Sequence, residues 1–177
     1  ARLLNSIGKD VVIFRVENLN YSDLCDLNYK RCKALGIPII NQIDELDYYL
    51  NNVDIVVDAI FGVGVKENMY DNILKIINLI NEVKIIKKYK VYAIDVPTGL
   101  NSESGEVLQE AIIADITYTI ITYKKGFLNY NSKEYTGDII VIKDIIIPND
   151  LLLQHSDTFL IEETDISNLK KSRSINS

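Results

Sequence analysis

Two apolar, β-branched runs constrain this chain more than any other feature. Residues 53–61 are apolar except for Asp54 and Asp58, and residues 91–96 are apolar except for Asp95. Each run breaks into loop chemistry, Gly62-Val63-Gly64 after the first and Pro97-Thr98-Gly99 after the second. Nearly continuous apolar runs of this length are the mark of strands covered on both faces in a parallel sheet. Between them, residues 69–87 repeat Ile73, Ile76, Ile77 and Ile80 along one side, which predicts a long helix packed on that sheet.

The rest of the chain follows the same alternation. Residues 11–16 predict a strand. Ser22 predicts the cap of a helix over 23–35 that Gly36 ends. A short strand at 37–40 and a brief helix at 44–51 come next, and strands at 117–122 and 138–142 complete the set, with 145–147 along the core edge. Residues 97–110 read as a polar loop with a turn of helix near Gln109. Strands alternating with helices of this size predict an α/β fold with a mainly parallel sheet and helices on both faces. The chain opens at Ala1 inside a helix-like stretch that Gly8 stops, so the domain is expected to be N-terminally truncated, without its first strand.

Composition excludes several classes. With 177 residues, 47% of them hydrophobic and 25% charged, the chain can bury a core without disulfides or a structural metal. A net charge of −6 and dispersed tyrosines argue against a nucleic-acid face. No apolar run approaches the roughly 18 residues of a membrane helix, and the opening residues lack the pattern of a leader. Cys25 and Cys32 fit neither a disulfide scaffold nor a metal clamp, which points to a reducing compartment, the cytoplasm.

Ligands of parallel α/β sheets bind beyond the carboxyl ends of the strands. That rule selects Asp58 with the loop after it, and Asp95 with Thr98 and Gly99. A carboxylate inside an apolar run costs several kcal/mol unless it is hydrogen-bonded, paired or metal-bound. Hard oxygens of this kind suit potassium, magnesium or calcium rather than zinc. A loop cap is the plainer alternative for either Asp. Gly62 and Gly64 make only part of a phosphate loop, and Lys66, like Lys124 and Lys125, is a charge near the same edge. His155 and Cys32 carry no recognisable catalytic arrangement.

The segments Asp58-Ala-Ile-Phe-Gly-Val-Gly64, Ala93-Ile-Asp-Val-Pro-Thr-Gly-Leu100, Ala114-Asp-Ile-Thr-Tyr-Thr119, Lys125-Gly-Phe127, Tyr135-Thr-Gly-Asp138 and Ile147-Pro148 occur in an order that resembles the NAD(P)H-hydrate epimerase family, the YjeF N-terminal domain type. The resemblance implies a Rossmann-like three-layer α/β/α sandwich over residues 1–148. It implies epimerisation of the R and S forms of hydrated NADH and NADPH, a repair of damaged nicotinamide cofactors. Asp95 would be the catalytic acid–base group and contact the substrate. Gly62, Val63, Gly64, Val65, Lys66, Glu67 and Asn68 would line that substrate, with Lys125 a further contact, and Asp58 with Thr98 would hold a potassium ion, K+.

The family carries Ser where this chain has Thr98, and an Asn-Gly-Gly-Asp-Gly loop upstream of a helix like the one opening at Ala1. That loop is absent from this sequence. Residues 149–177 resemble a linker toward an ADP- or ATP-dependent dehydratase, fused or separate, which would be the partner. The resemblance leaves room for a homo-oligomer and calls for no nucleic acid or membrane. The competing expectations are a catalytically inactive epimerase-like scaffold or dimerisation module, and an unrelated nucleotide-binding α/β protein.

Overall fold

The computed structural model of the protein describes residues 1–17, 19–62, 71–143 and 161. A short helix α1 (Arg2–Ser6) leads to β1 (Ile13–Phe14), then α2 (Asp23–Ala34), β2 (Ile39–Ile40), α3 (Ile43–Leu50) and β3 (Ile55–Asp58). After β3 come α4 (Asp71–Lys87), β4 (Lys90–Ile94), β5 (Ile116–Ile120), α5 (Lys133–Thr136) and β6 (Asp138–Ile142). Two single 3-10 turns, Lys125–Leu128 and Tyr130–Ser132, stand between β5 and α5.

Among the described residues all strand pairs are parallel. β1 pairs with β2, and β3-β4-β5-β6 form a four-stranded sheet in sequence order, with Asp58 opposite Ala93 and Ile94 opposite Tyr118. The arrangement is the mixed α/β, Rossmann-like class expected from the sequence. The helix signals act as read: the Ser22 hydroxyl accepts the Cys25 N–H at the start of α2, and Gly36 beyond its end has φ +71. Gln42 and Glu45 close a reciprocal capping box on α3.

The core forms where α4 lies on the sheet. Ile73, Ile76, Ile77 and Ile80 bury against Val91 and Ala93 of β4, and α3 adds Leu46 and Leu50. Phe14 and Val16 join this core, whereas Arg15 between them turns to α2, pairing with Asp26 at 2.7 Å and stacking over Tyr29. Side chains alternate across a strand, so β1 has helical material on both faces. A second cluster of Val96, Leu100 and Phe127 lies beyond the strand ends.

Four expectations change in detail. The strand at 11–16 contracts to two residues. The run at 53–61 contracts to four, and among the described residues only one face of it is covered: Ile55 and Val57, opposite the α4 side, are 48% and 47% exposed. The helix packed on it, α4, lies on the other face. Residues 97–110 hold no helix near Gln109; an antiparallel bridge between Leu100 and Val107 closes that loop instead.

The 111–115 segment is fastened from α4. Asn81 donates to the Ala111 carbonyl at 2.9 Å and accepts the Ile113 N–H, while Lys84 donates to the Ile113 carbonyl. Residues 1–143 form one compact unit. The predicted linker, and the 145–147 segment expected along the core edge, lie outside the described residues save for exposed Ile161.

Candidate active site

The tips of β3 and β4 are tied together through Asp58. Its carboxyl is 2% exposed and takes three neutral donors: Thr98 N–H to Oδ2 at 2.7 Å, Thr98 Oγ1–H to Oδ1 at 2.7 Å, and Ile60 N–H to Oδ1 at 3.3 Å. Thr98 is as deeply buried, and its hydroxyl accepts the Phe61 N–H at 3.2 Å. The Asp58 loop is therefore capped, as the plainer alternative holds. It is also joined to a residue forty positions away.

Within that clasp Asp58 meets neutral donors only. Among the described residues its carboxylate has no Lys, Arg or His partner. Burial pushes its pKa above the usual carboxylate range, and the hydrogen bonds from Thr98 and Ile60 pull it back only in part. A carboxylate offers about four lone-pair positions, so among the described residues one on Oδ2 stays open, as does one on Thr98 Oγ1. Two hard oxygens, from a buried carboxyl with no basic partner among the described residues and from a hydroxyl, fit a potassium-like cation that takes its other ligands from backbone, water or substrate. Among the described residues no group of three His, Cys, Asp or Glu side chains forms a metal cluster, which does not match a zinc-type site.

Asp95 follows β4 directly and is built differently. Its φ is +71, unusual for a residue with a side chain, and the Val96 N–H bonds back to the Ile94 carbonyl at 3.0 Å, a strained γ-turn. The Asp95 N–H donates to the Tyr118 carbonyl of β5 at 2.8 Å. Oδ1 forms an ion pair with the Lys124 ammonium at 2.8 Å and accepts the Ile120 N–H at 3.3 Å. Oδ2 takes no hydrogen bond among the described residues and lies beside Gly62, where an added Cβ would stand 3.4 Å from it.

Gly99 shows why the loop after Thr98 needs glycine. Its φ is +94, and a Cβ there would fall 1.9 Å from the Glu110 carbonyl oxygen. That close approach lets the Thr98 carbonyl accept the Ile112 N–H and holds the loop against the core.

The structure thus brings Asp58, Gly62, Asp95 and Thr98 to one edge of the sheet. Lys125 is exposed at the start of a 3-10 turn, and the residue that reaches Asp95 is its neighbour Lys124. In sequence the two lysines look alike; only the turn after β5 separates them. Val63, Gly64, Val65, Lys66, Glu67 and Asn68 lie outside the described residues.

Comparison with known proteins agrees with this architecture. Residues 1–126 match the family described as YjeF-related protein N-terminus. A bifunctional NAD(P)H-hydrate repair enzyme, Nnr, from Dictyoglomus turgidum is 35% identical over 84% of this chain and 28% of its own length. NAD(P)H-hydrate epimerases from Limosilactobacillus fermentum and Levilactobacillus brevis are 30% and 33% identical, over 82% and 80% of this chain and 66% and 62% of theirs. The chain thus spans under two thirds of the length of these relatives. The crystal structure of yeast ynu0, YNL200c, shares the fold with a TM-score of 0.71 at 22% identity, over 93% of this chain and 68% of that one. On the family match and these relatives, the chain belongs to the family of YjeF-related protein N-termini.

Proposed function

We propose that this domain interconverts the R and S epimers of hydrated NADH and NADPH, with Asp95 as the acid–base group. The observation that carries this is the Asp95 carboxylate itself. It is held at a strand tip in a strained turn, one oxygen anchored and the other without a hydrogen bond among the described residues, beside Gly62. Strain of this kind costs about 1–3 kcal/mol and persists at sites where geometry serves function. The names of the epimerase relatives supply the substrate class.

Inverting the hydroxylated carbon requires the hydroxyl to leave and return on the other face, or the adjacent C–N bond to open and reclose. In the first route the departing hydroxyl takes a proton and leaves as water, and the returning water gives one back; in the second the hydroxyl loses its proton as the C–N bond opens and regains it on reclosure. A rigid carboxyl group whose Oδ2 takes no hydrogen bond among the described residues can donate and recover that proton in the first route, or accept and return it in the second. Gly62, lacking a Cβ, lets the ring approach Oδ2. Asp58 and Thr98 would hold a potassium ion, which supplies positive charge near the developing oxyanion or the diphosphate when bound. The segment 62–68 would line the substrate and Lys125 would meet its outer part. A fused or separate nucleotide-dependent dehydratase would consume the epimer produced, as the bifunctional relative's name is compatible with, and the setting would be cytoplasmic.

The test is equilibration of purified S hydrate with its R epimer, followed by chromatography. Asp95→Asn should lower the rate by about 10²–10⁴-fold with the circular dichroism spectrum retained. Full activity in Asp95→Asn would remove Asp95 from this role. The inactive-scaffold reading predicts no catalysed equilibration by either protein.

A further inference from the structure

We propose that Lys124 is a positioning residue for Asp95, committing Oδ1 to the scaffold so that Oδ2 alone meets the substrate. This rests on the epimerase reading for the reaction it serves, but its geometry stands apart from it. The ammonium of Lys124 forms an ion pair with Asp95 Oδ1 at 2.8 Å and donates to the Ile120 carbonyl at 3.1 Å, and both charged side chains are only 16% exposed. Ile120 in turn donates its N–H to the same Oδ1 at 3.3 Å. One oxygen of the carboxylate is thereby fixed from two directions.

The backbone that delivers Lys124 is strained in the same manner as Asp95. Ile121 has φ +70, and the Thr122 N–H bonds to the Ile120 carbonyl at 2.8 Å, a second γ-turn at the tip of the neighbouring strand. Isoleucine is a poor residue for such a conformation, because β-branching aggravates the clash at positive φ. Two strained turns on adjacent parallel strands therefore face each other across one ion pair. A lysine needed only for solubility would not require this.

Asp95 cannot rotate to spend both oxygens on Lys124 without giving up the Ile120 N–H. Removal of the ammonium frees the carboxylate to turn about its χ angles, and misplacement of a reacting group by about 1 Å can cost 10²-fold in rate. Substrate contacts elsewhere would be retained, so the loss falls on kcat and not on KM.

The experiment is a double-mutant cycle on Asp95→Asn and Lys124→Met, with Lys124→Arg as the conservative variant, all checked for folding by near-ultraviolet circular dichroism. In the epimerase assay, Lys124→Met should lower kcat by about 100-fold with KM within about threefold, and Lys124→Arg should recover most of the loss. In the Asp95→Asn background Lys124→Met should have no further effect on kcat, because Lys124 acts through Asp95. Additive losses, or a loss confined to KM, would overturn the proposal.

A readout free of catalysis is the side-chain carboxyl ¹³C resonance of Asp95, identified by its absence in Asp95→Asn. It should move in Lys124→Met and return toward its original position in Lys124→Arg. A resonance unmoved by Lys124→Met overturns the pairing. A shifted resonance in a chain with no epimerase activity upholds the pairing and refutes the epimerase reading instead.

Discussion

Thr98 grips Asp58 twice, through its backbone N–H and through its hydroxyl, each at 2.7 Å. Two tight bonds from one residue to one buried carboxylate lock the β3 and β4 tips into a single rigid edge. Asp95 and Thr98 stand in the same loop three residues apart, so the clasp also sets where Asp95 sits.

Breaking one half of that clasp gives a direct measure of its strength. Thr98→Val keeps the shape and removes the hydroxyl, leaving Asp58 Oδ1 with the Ile60 N–H alone. A hydrogen bond to a charged group contributes about 1.5–3 kcal/mol, and urea unfolding should show a loss in that range. Thr98→Ser, which keeps the donor, should lose less.

The potassium reading of Asp58 and Thr98 has a thermodynamic signature. An ion that binds only the folded state stabilises it by mass action, about 1.4 kcal/mol at ten times its dissociation constant. The thermal midpoint should rise in potassium chloride over choline chloride at equal ionic strength, and Asp58→Asn should abolish the difference. Equal midpoints in the two salts for the unaltered chain would remove the cation from this site.

Gly99→Ala should destabilise the domain by about 3 kcal/mol or more, or prevent folding. The φ of +94 disfavours any side chain, and the new Cβ would collide with the Glu110 carbonyl backbone, which cannot swing aside as a side chain would. Gly36→Ala is the control. It shares a positive φ of +71 but has open space around it, so only the conformational cost, about 1 kcal/mol, should appear.

Acid sensitivity should trace to Asp115, at the other end of β5. Burial works to raise its pKa, but the Val91 N–H at 2.8 Å and the ammonium groups of Lys84 and Lys90 at 3.0 and 3.1 Å outweigh it and hold the pKa below the ordinary value. A carboxyl depressed in the folded state contributes stability above its unfolded pKa of about 3.9 and loses it as pH falls through the lower folded value. Denaturant midpoints should therefore fall below about pH 4, and Asp115→Asn should flatten that part of the profile while lowering stability at neutral pH.

Much of the fold was legible in the residues. The isoleucines of α4 recur at helical spacing, Ser22 and Gly36 bracket α2, and the β6 expectation of 138–142 is met residue for residue. These signals are local: a cap, a period and a glycine at positive φ act within one or two turns of chain. The strand at 53–61 was overdrawn because apolar residues near Ile60 and Phe61 pack against the core from the loop rather than continue the ladder. The helix near Gln109 failed because Leu100 and Val107 pair across the loop, a contact no local propensity reports.

The sequence by itself determined that apolar strands alternate with helices, and that two carboxylates stand where such strands run out. It also placed a hydroxyl and a glycine just beyond the second of them. Only the tertiary structure decided what those groups meet: that Thr98 spends its donors on Asp58, that Asp95 presents Oδ2 beside Gly62, and that Lys124 and not Lys125 reaches Oδ1. The reason is register. Parallel pairing sets Asp58 opposite Ala93 and Ile94 opposite Tyr118, and that alignment of distant segments carries the tips of β3, β4 and β5 to one edge. Shifting β3 or β4 by one residue would turn its own carboxylate to the opposite face while leaving every local signal in the sequence unchanged.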